Sequence, residues 1–156
     1  LDKVGYVREY HPGDAEYIAQ NMRADDVREV QAASGLDPLS ALHRSRELSE
    51  ILCTVQGRYP AALFGVVPVD DLSGIVWLLG TDELVRNPLR SEFIRQGRDF
   101  FDRLHAFRPL LYNCVDERNT VHIRWLKWMG CNFIKRHSTY GVEQRPFLEF
   151  VRLKHV

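Results

Sequence analysis

Between residues 51 and 79 the chain takes on strand character three times in succession, with turns too short to hold another element. Ile51-Leu52-Cys53-Thr54-Val55 is the first apolar, β-branched run, and Gln56-Gly57-Arg58 follows it as a turn. Ala61-Ala62-Leu63-Phe64-Gly65-Val66-Val67 is the second, closed by Asp70-Asp71, and Gly74-Ile75-Val76-Trp77-Leu78-Leu79 is the third. Strands this close in sequence predict an antiparallel meander. The flanking segments are expected to supply helices and further strands.

They carry the signals for it. Tyr6 to Tyr10 reads as a short first strand, broken by His11-Pro12-Gly13. Asp14 stands as a helix N-cap ahead of Tyr17, Ile18 and Met22, which fall at helical spacing. Further helices are expected over about residues 25–34, stopped by Gly35, and over about 38–48. Beyond the meander, Asn87-Pro88 predicts a helix start with Asn as N-cap and Pro in the first turn. Leu89, Phe93, Gly97, Phe100, Phe101 and Leu104 continue it, and Pro109 is expected to end it. Residues 110–115 read as a buried strand. A helix opened by Asn119 carries Val121, Trp125, Trp128 and Met129 and ends at Gly130. Two strands, about 132–137 and 147–153, complete the order. The expectation is a single α/β domain over residues 1–156, with a mixed, mostly antiparallel sheet flanked by helices.

The 21 basic and 21 acidic residues cancel. This excludes a strongly basic nucleic-acid tail or an acidic solvating tail. The cancellation hides an asymmetry: residues 1–78 hold 7 basic and 12 acidic side chains, and residues 79–156 hold 14 and 9. An anion-binding surface is therefore expected in the second half. No apolar run approaches the ~20 residues of a membrane helix, and no signal-like segment opens the sequence. Three cysteines without a CxxC pair read as reduced thiols of an intracellular chain. With no HxxxH and no His/Cys motif, no metal site is expected.

Residues 119–131, with Asn119, His122, Trp125, Leu126, Gly130 and Cys131, resemble the Asn-to-Gly block of GNAT acyl-CoA N-acyltransferases, and the element order agrees. Val7-Arg8-Glu9-Tyr10 with Gly13-Asp14-Ala15 also looks like a GNAT first strand and helix start. Within that fold, Trp77-Leu78-Leu79-Gly80-Thr81 and residues 113–130 are similar to a podophage protein family described as internal virion proteins or GNAT-like acetyltransferases. The resemblance implies a GNAT-like fold and acetyl-CoA as cofactor. Its pyrophosphate would lie on backbone amides at a helix N-terminus.

The family's phosphate loop is Gln/Arg-x-x-Gly-x-Gly/Ala. Here it reads Arg86-Asn87-Pro88-Leu89-Arg90-Ser91, so Arg86 matches while Leu89 and Ser91 replace the small residues. Two readings follow. Either the cradle is lost and CoA binding with it, or Arg86 and Arg90 replace the amides with charge-assisted bonds. Arg86, Arg90, Ser91 and Asn119 are accordingly the cofactor-binding candidates. Leu126 occupies the place of the tyrosine that protonates the leaving thiolate in many GNATs; Tyr112, Cys114 or Tyr140 are the stand-ins. Asp82 and Glu83, just after the third meander strand, are the general-base candidates. In that enzyme reading, backbone groups of the third meander strand would orient the acyl chain. His122 reads first as a packed or capping residue. Trp125 and Trp128 read as core-edge aromatics, or as a protein interface if exposed together.

Three functions remain open on this basis. The first, which the resemblance favours, is a phage-encoded virion component or assembly factor with reduced or lost transferase activity. Its partners would be other virion or host proteins, and its place the host cytoplasm or the virion. The second is an active acetyl-CoA-dependent N-acetyltransferase acting on a protein or small amine. The third is a protein-binding adaptor. Nucleic acid is not expected as a direct partner.

Overall fold

The computed structural model describes residues 6–155. Strand β1 (Tyr6–Glu9) is followed by helices α1 (Asp14–Gln20), α2 (Ala24–Ser34) and α3 (Pro38–Leu48). The meander follows as β2 (Ile51–Gln56), β3 (Pro60–Pro68) and β4 (Ser73–Gly80). A 3₁₀ turn (Asp82–Val85), which the sequence reading did not include, leads to α4 (Leu89–Leu104). Strand β5 (Leu110–Asp116), helix α5 (Thr120–Trp128) and strands β6 (Asn132–Tyr140) and β7 (Arg145–Leu153) complete the order.

The seven strands form one sheet in the order β1-β2-β3-β4-β5-β7-β6. Every neighbouring pair is antiparallel except β4 and β5, which run parallel over only three paired positions, from Ser73↔Leu110 to Ile75↔Tyr112. The expected mixed, mostly antiparallel α/β arrangement is thus present. Alternation along β3 and β4 divides the core in two, because successive strand side chains point to opposite faces. Leu63, Trp77 and Leu79 pack with Ala15, Ile18, Val30, Ala41 and Leu42 of α1–α3. Phe64, Val66 and Val76 pack on the other face with Leu89, Phe101 and Leu104 of α4 and Leu126 of α5. Each fully buried Leu or Phe contributes roughly 1.5–3 kcal/mol, so both helical layers are held by burial rather than by their own propensity.

Three helix boundaries differ from expectation, and two share a cause. Helix α1 is capped by Gly13 (φ +97°) and not by Asp14. The Asp14 carboxylate instead takes Arg8 at 2.9 Å, the His11 N–H at 2.8 Å and the Thr54 hydroxyl at 2.8 Å. Asn119 sits at the N-cap position of α5 but makes no cap bond, because its side chain turns toward α2. In both places a buried charged partner wins over a local backbone donor. Helix α4 begins at Leu89 after a cis Asn87–Pro88 peptide, and the Asn87 side chain accepts from Ser91 Oγ at 2.7 Å rather than capping the backbone. The same helix ends at Leu104, before Pro109, and residues 105–107 leave it in tight turns.

Edge strand β6 is bulged between Phe133/Lys135 and between His137/Tyr140. The β6–β7 hairpin tip docks on α2, where the Val142 and Glu143 amides donate to the Ala33 and Ala32 carbonyls. Gly141 makes this approach possible: its φ is +72°, and a Cβ there would fall 2.7 Å from Ala33 Cα and against the Ala32 carbonyl. Gly141→Ala is therefore expected to destabilise the protein by about 1–3 kcal/mol. It should also undock the hairpin, read as a lower urea midpoint and faster amide exchange at Val142 and Glu143.

Candidate functional site

Beyond Ile75 and Tyr112 the central strands separate. The Asn113 Nδ2 donates to the Val76 carbonyl at 2.9 Å as the last stitch between them. From there residues 76–80 and 113–116 diverge, leaving backbone groups that a neighbouring strand would otherwise satisfy. Helix α2 and the residue before it take up the ends. The Arg23 N–H donates to the Gly80 carbonyl at 2.9 Å, and the Gly80 N–H donates to Asp26 Oδ2 at 2.9 Å. Asp26 Oδ1 also accepts from the Arg23 guanidinium at 2.9 Å and from Asn119 Nδ2 at 3.0 Å. One turn further along, Glu29 Oε1 accepts the Asp116 N–H at 2.9 Å and Asn119 Nδ2 at 3.3 Å. The three-residue steps from Arg23 to Asp26 to Glu29 place these side chains on one helical face. A single turn of α2 thus spans the gap, touching β4, β5 and the start of α5.

The gap opens into a cavity of about 360 Å³ lined from both sides of the sheet. Glu29, Leu36, Trp77 and Tyr140 line it on the α1–α3 side, and Phe64, Phe100 and Leu104 on the other. A second space of about 520 Å³ lies between α4 and α5, and Leu78, Phe93, His122 and Trp125 border both. The second space carries Arg23, Arg90 and Arg124 in its wall. Among the described residues, Arg90 and Arg124 have no ion-pair partner, whereas Arg23 is held by Asp25 and Asp26. Three polar atoms around these spaces are buried and without a hydrogen-bond partner among the described residues: Asn119 Oδ1, His122 Nδ1 and Trp125 Nε1. Buried polar atoms are rarely left so.

Glu29 and His122 are among the groups whose titration this surrounding moves. Burial, with Asp26 adding negative charge beside it, pushes Glu29 up to about 8. Burial also lowers His122, which favours the neutral ring at neutral pH. Glu29 is therefore a carboxyl that exchanges a proton near neutrality inside a mostly apolar cavity, a property suited to general-base work.

The residues singled out in the sequence scatter around this centre. Asn119 is in it, 1 % exposed and bound to both α2 carboxylates. Arg90 lines the second space, at the start of α4. Arg86 is on the surface, 3.8 Å from Asp82, and borders neither space. Ser91 is exposed and bound to Asn87. Glu83 holds the β2–β3 turn through the Arg58 and Tyr59 amides at 2.6 and 3.2 Å, and Asp82 is exposed. Leu89, which stands where the phosphate loop has glycine, is 2 % exposed and packs inward against the core. Its bulk does not occupy the surface an anion would approach, although the Arg90 N–H is already donated to the Arg86 carbonyl at 2.8 Å. Leu126 is 1 % exposed and offers no proton. Trp125 stacks on Phe93, with centroids 4.8 Å apart, while Trp128 is 54 % exposed. The two tryptophans thus do not form one exposed patch.

Arg23, Asp26, Glu29 and Arg124 escaped the sequence reading. On an isolated helix they look like a solvated charged face, and only the α2 i,i+3 spacing hints at convergence. Cys114, His137 and Glu149 also meet, on β5, β6 and β7, with ligand atoms within 4.8 Å of one another.

No protein-family model matches the sequence, and no curated protein matches it by sequence. Solved structures do match in fold. The putative acetyltransferase yncA from Salmonella typhimurium, with its cofactor acetyl-CoA, superposes with a TM-score of 0.70 at 9 % identity, covering 98 % of this chain and 95 % of that one. An acetyltransferase of the GNAT family from Bacillus anthracis gives 0.69 at 9 % identity, with 97 % and 95 % covered. The spermidine N-acetyltransferase from Vibrio cholerae, in complex with CoA and spermine, gives 0.67 at 13 % identity, with 97 % and 96 % covered. The chain has the single-domain α/β fold of GNAT acetyltransferases.

Glu29 sets a pH dependence whose sign is fixed. Its folded value of about 8 lies above its ordinary 4.5, so the unfolded chain gives up this proton first as pH rises. Stability linked to Glu29 is complete below pH 4.5 and is lost progressively up to about pH 8. Glu29→Gln should match the wild type in urea melts near pH 4.5 and exceed it by about 1–3 kcal/mol at pH 8.

Proposed function

We propose that this chain is an acetyl-CoA-dependent N-acetyltransferase acting on an amine of a protein or small molecule. The single observation that carries the proposal is the opened sheet with a proton-accepting carboxyl on one face and two unpartnered arginines on the other. The residues present fit the cofactor. Arg90 and Arg124 offer charge-assisted bonds to phosphates, and the N-terminus of α4 adds its partial positive charge. The unpartnered Asn119, His122 and Trp125 atoms are of the kind that the amides of a CoA arm would satisfy. Between the Val76 carbonyl, taken by Asn113, and Gly80, taken by Arg23 and Asp26, the backbone of β4 lacks a strand on its β5 side and can orient an acyl chain.

Acetyl-CoA, when bound, supplies the activated acyl group. Glu29 accepts the proton of the incoming amine, directly or through one water, and its raised value keeps it partly ionised near pH 8. The acceptor approaches from the α1–α3 side, where Trp77, Leu36 and Tyr140 line the same cavity as that carboxyl. Glu29 is preferred over Asp82 and Glu83 as base because neither of those borders the cavity. Arg90 and Arg124 are preferred over Arg86 and Ser91 as phosphate ligands for the same reason. The inward packing of Leu89 supports this reading, although the Arg90 amide is already donated to the Arg86 carbonyl. A role as virion component or assembly factor, with other virion or host proteins as partners, is implied by the likeness of residues 113–130 to the phage family; nothing in the comparisons favours it.

Calorimetry with acetyl-CoA tests the reading. Micromolar binding is expected, weakened about tenfold or more when Arg90→Ala and Arg124→Ala are combined. Glu29→Gln should leave that affinity unchanged and lower kcat by about 10²–10⁴-fold. Wild-type activity on an amine should rise with pH through about 8. No heat at millimolar cofactor overturns the proposal.

A further inference from the structure

Cys114, His137 and Glu149 are far apart in sequence and share no metal-binding spacing, yet the sheet register draws them together. Cys114 of β5 lies opposite Glu149 of β7. On the other side of β7, His137 of β6 lies opposite Phe147, two residues from Glu149 and therefore on the same face. The β6 bulge that follows His137 alters the local pairing there. His137 Nε2 is 2.7 Å from Glu149 Oε1, and a sulfur, a ring nitrogen and a carboxylate oxygen fall within 4.8 Å of one another. Both members of the His–Glu pair retain about a quarter of their side-chain exposure, so solvent reaches them.

We propose that these three side chains form a binding site for one zinc-class divalent cation. The donor set decides the class. Magnesium and calcium take oxygen ligands, whereas thiolate with imidazole and carboxylate suits zinc. Two anionic ligands and one neutral ligand balance a 2+ charge, and the thiol proton leaves to solvent on binding. Three protein ligands leave a fourth position for water or another donor. All three side chains stand on hydrogen-bonded strands, so side-chain rotation is enough to close the coordination and the backbone is already placed. Cys114 also lies in the wall of the through-sheet cavity beside Tyr140, so a bound ion would sit at the edge of that cavity and join β5, β6 and β7. The argument for the site does not rest on the acyl-transfer reading, although the two share a cavity wall.

The test uses the full chain, stripped with chelator and dialysed, and titrated with Co²⁺ and with Zn²⁺. One ion per chain is expected, with a thiolate-to-cobalt charge-transfer band, its displacement by Zn²⁺, and a rise in Tm with Zn²⁺. Cys114→Ser should abolish the band, while Cys53→Ser keeps it. His137→Gln, which retains a hydrogen-bonding side chain toward Glu149, should lose more affinity than the roughly 10–100-fold that removal of an outer partner costs. The proposal is overturned if no saturable binding occurs near stoichiometric metal, if the band survives in Cys114→Ser, or if His137→Gln binds as tightly as the wild type.

Discussion

The contact on which the rest of this structure depends is the buried group formed by Arg23, Asp26 and the Gly80 backbone. A sheet that parts at its centre exposes amides and carbonyls that cannot stay unpaired in a protein interior. Asp26 answers for one of them, the Gly80 N–H, and at the same time neutralises Arg23 and holds Asn119. A buried ion pair of this kind adds little net stability compared with apolar packing, but losing one partner strands a charge and costs about 3–5 kcal/mol. Its role is to specify how far the strands open. It also fixes α2 so that Glu29 faces the gap, and the charge of Asp26 contributes to the raised titration of that carboxyl.

Much of the architecture was legible in the chain itself. The three meander strands, the Gly35 stop, the 38–48 helix and the final strand pair follow from period and punctuation, which are local properties. The misread boundaries were also local inferences, and they failed for a non-local reason. Asp14 and Asn119 are good cap residues by any short-range rule, yet Arg8 and Thr54 claim the first, and the α2 carboxylates claim the second across 93 positions of sequence. A side chain that can cap a helix can equally satisfy a buried charge, and sequence spacing does not weigh the two.

The centre of the site was less legible. At the phosphate loop Leu89 and Ser91 stand where the family has small residues, and what the sequence could not give is the direction of the larger one, which packs into the core. Asp82 and Glu83 were conspicuous for their place after β4, while Glu29 lies in a helix that drew attention only for its Gly35 stop. Asn119 and Arg90, singled out through a motif, lie against the α2 carboxylates and in the wall of the second space. Arg124 falls within the same motif block without a role there, and only the fold brings it into the wall of the space that Arg90 also lines.

The division of the core by the opened sheet has a consequence for traffic. Because the central cavity has walls on both faces, two molecules that meet inside it need not share an entrance or pass one another. One can remain seated between α4 and α5 while the other exchanges past α2 and α3. Under the proposed acyl transfer, such an arrangement would let both molecules be present together when they react, with no covalent intermediate carried by the chain itself.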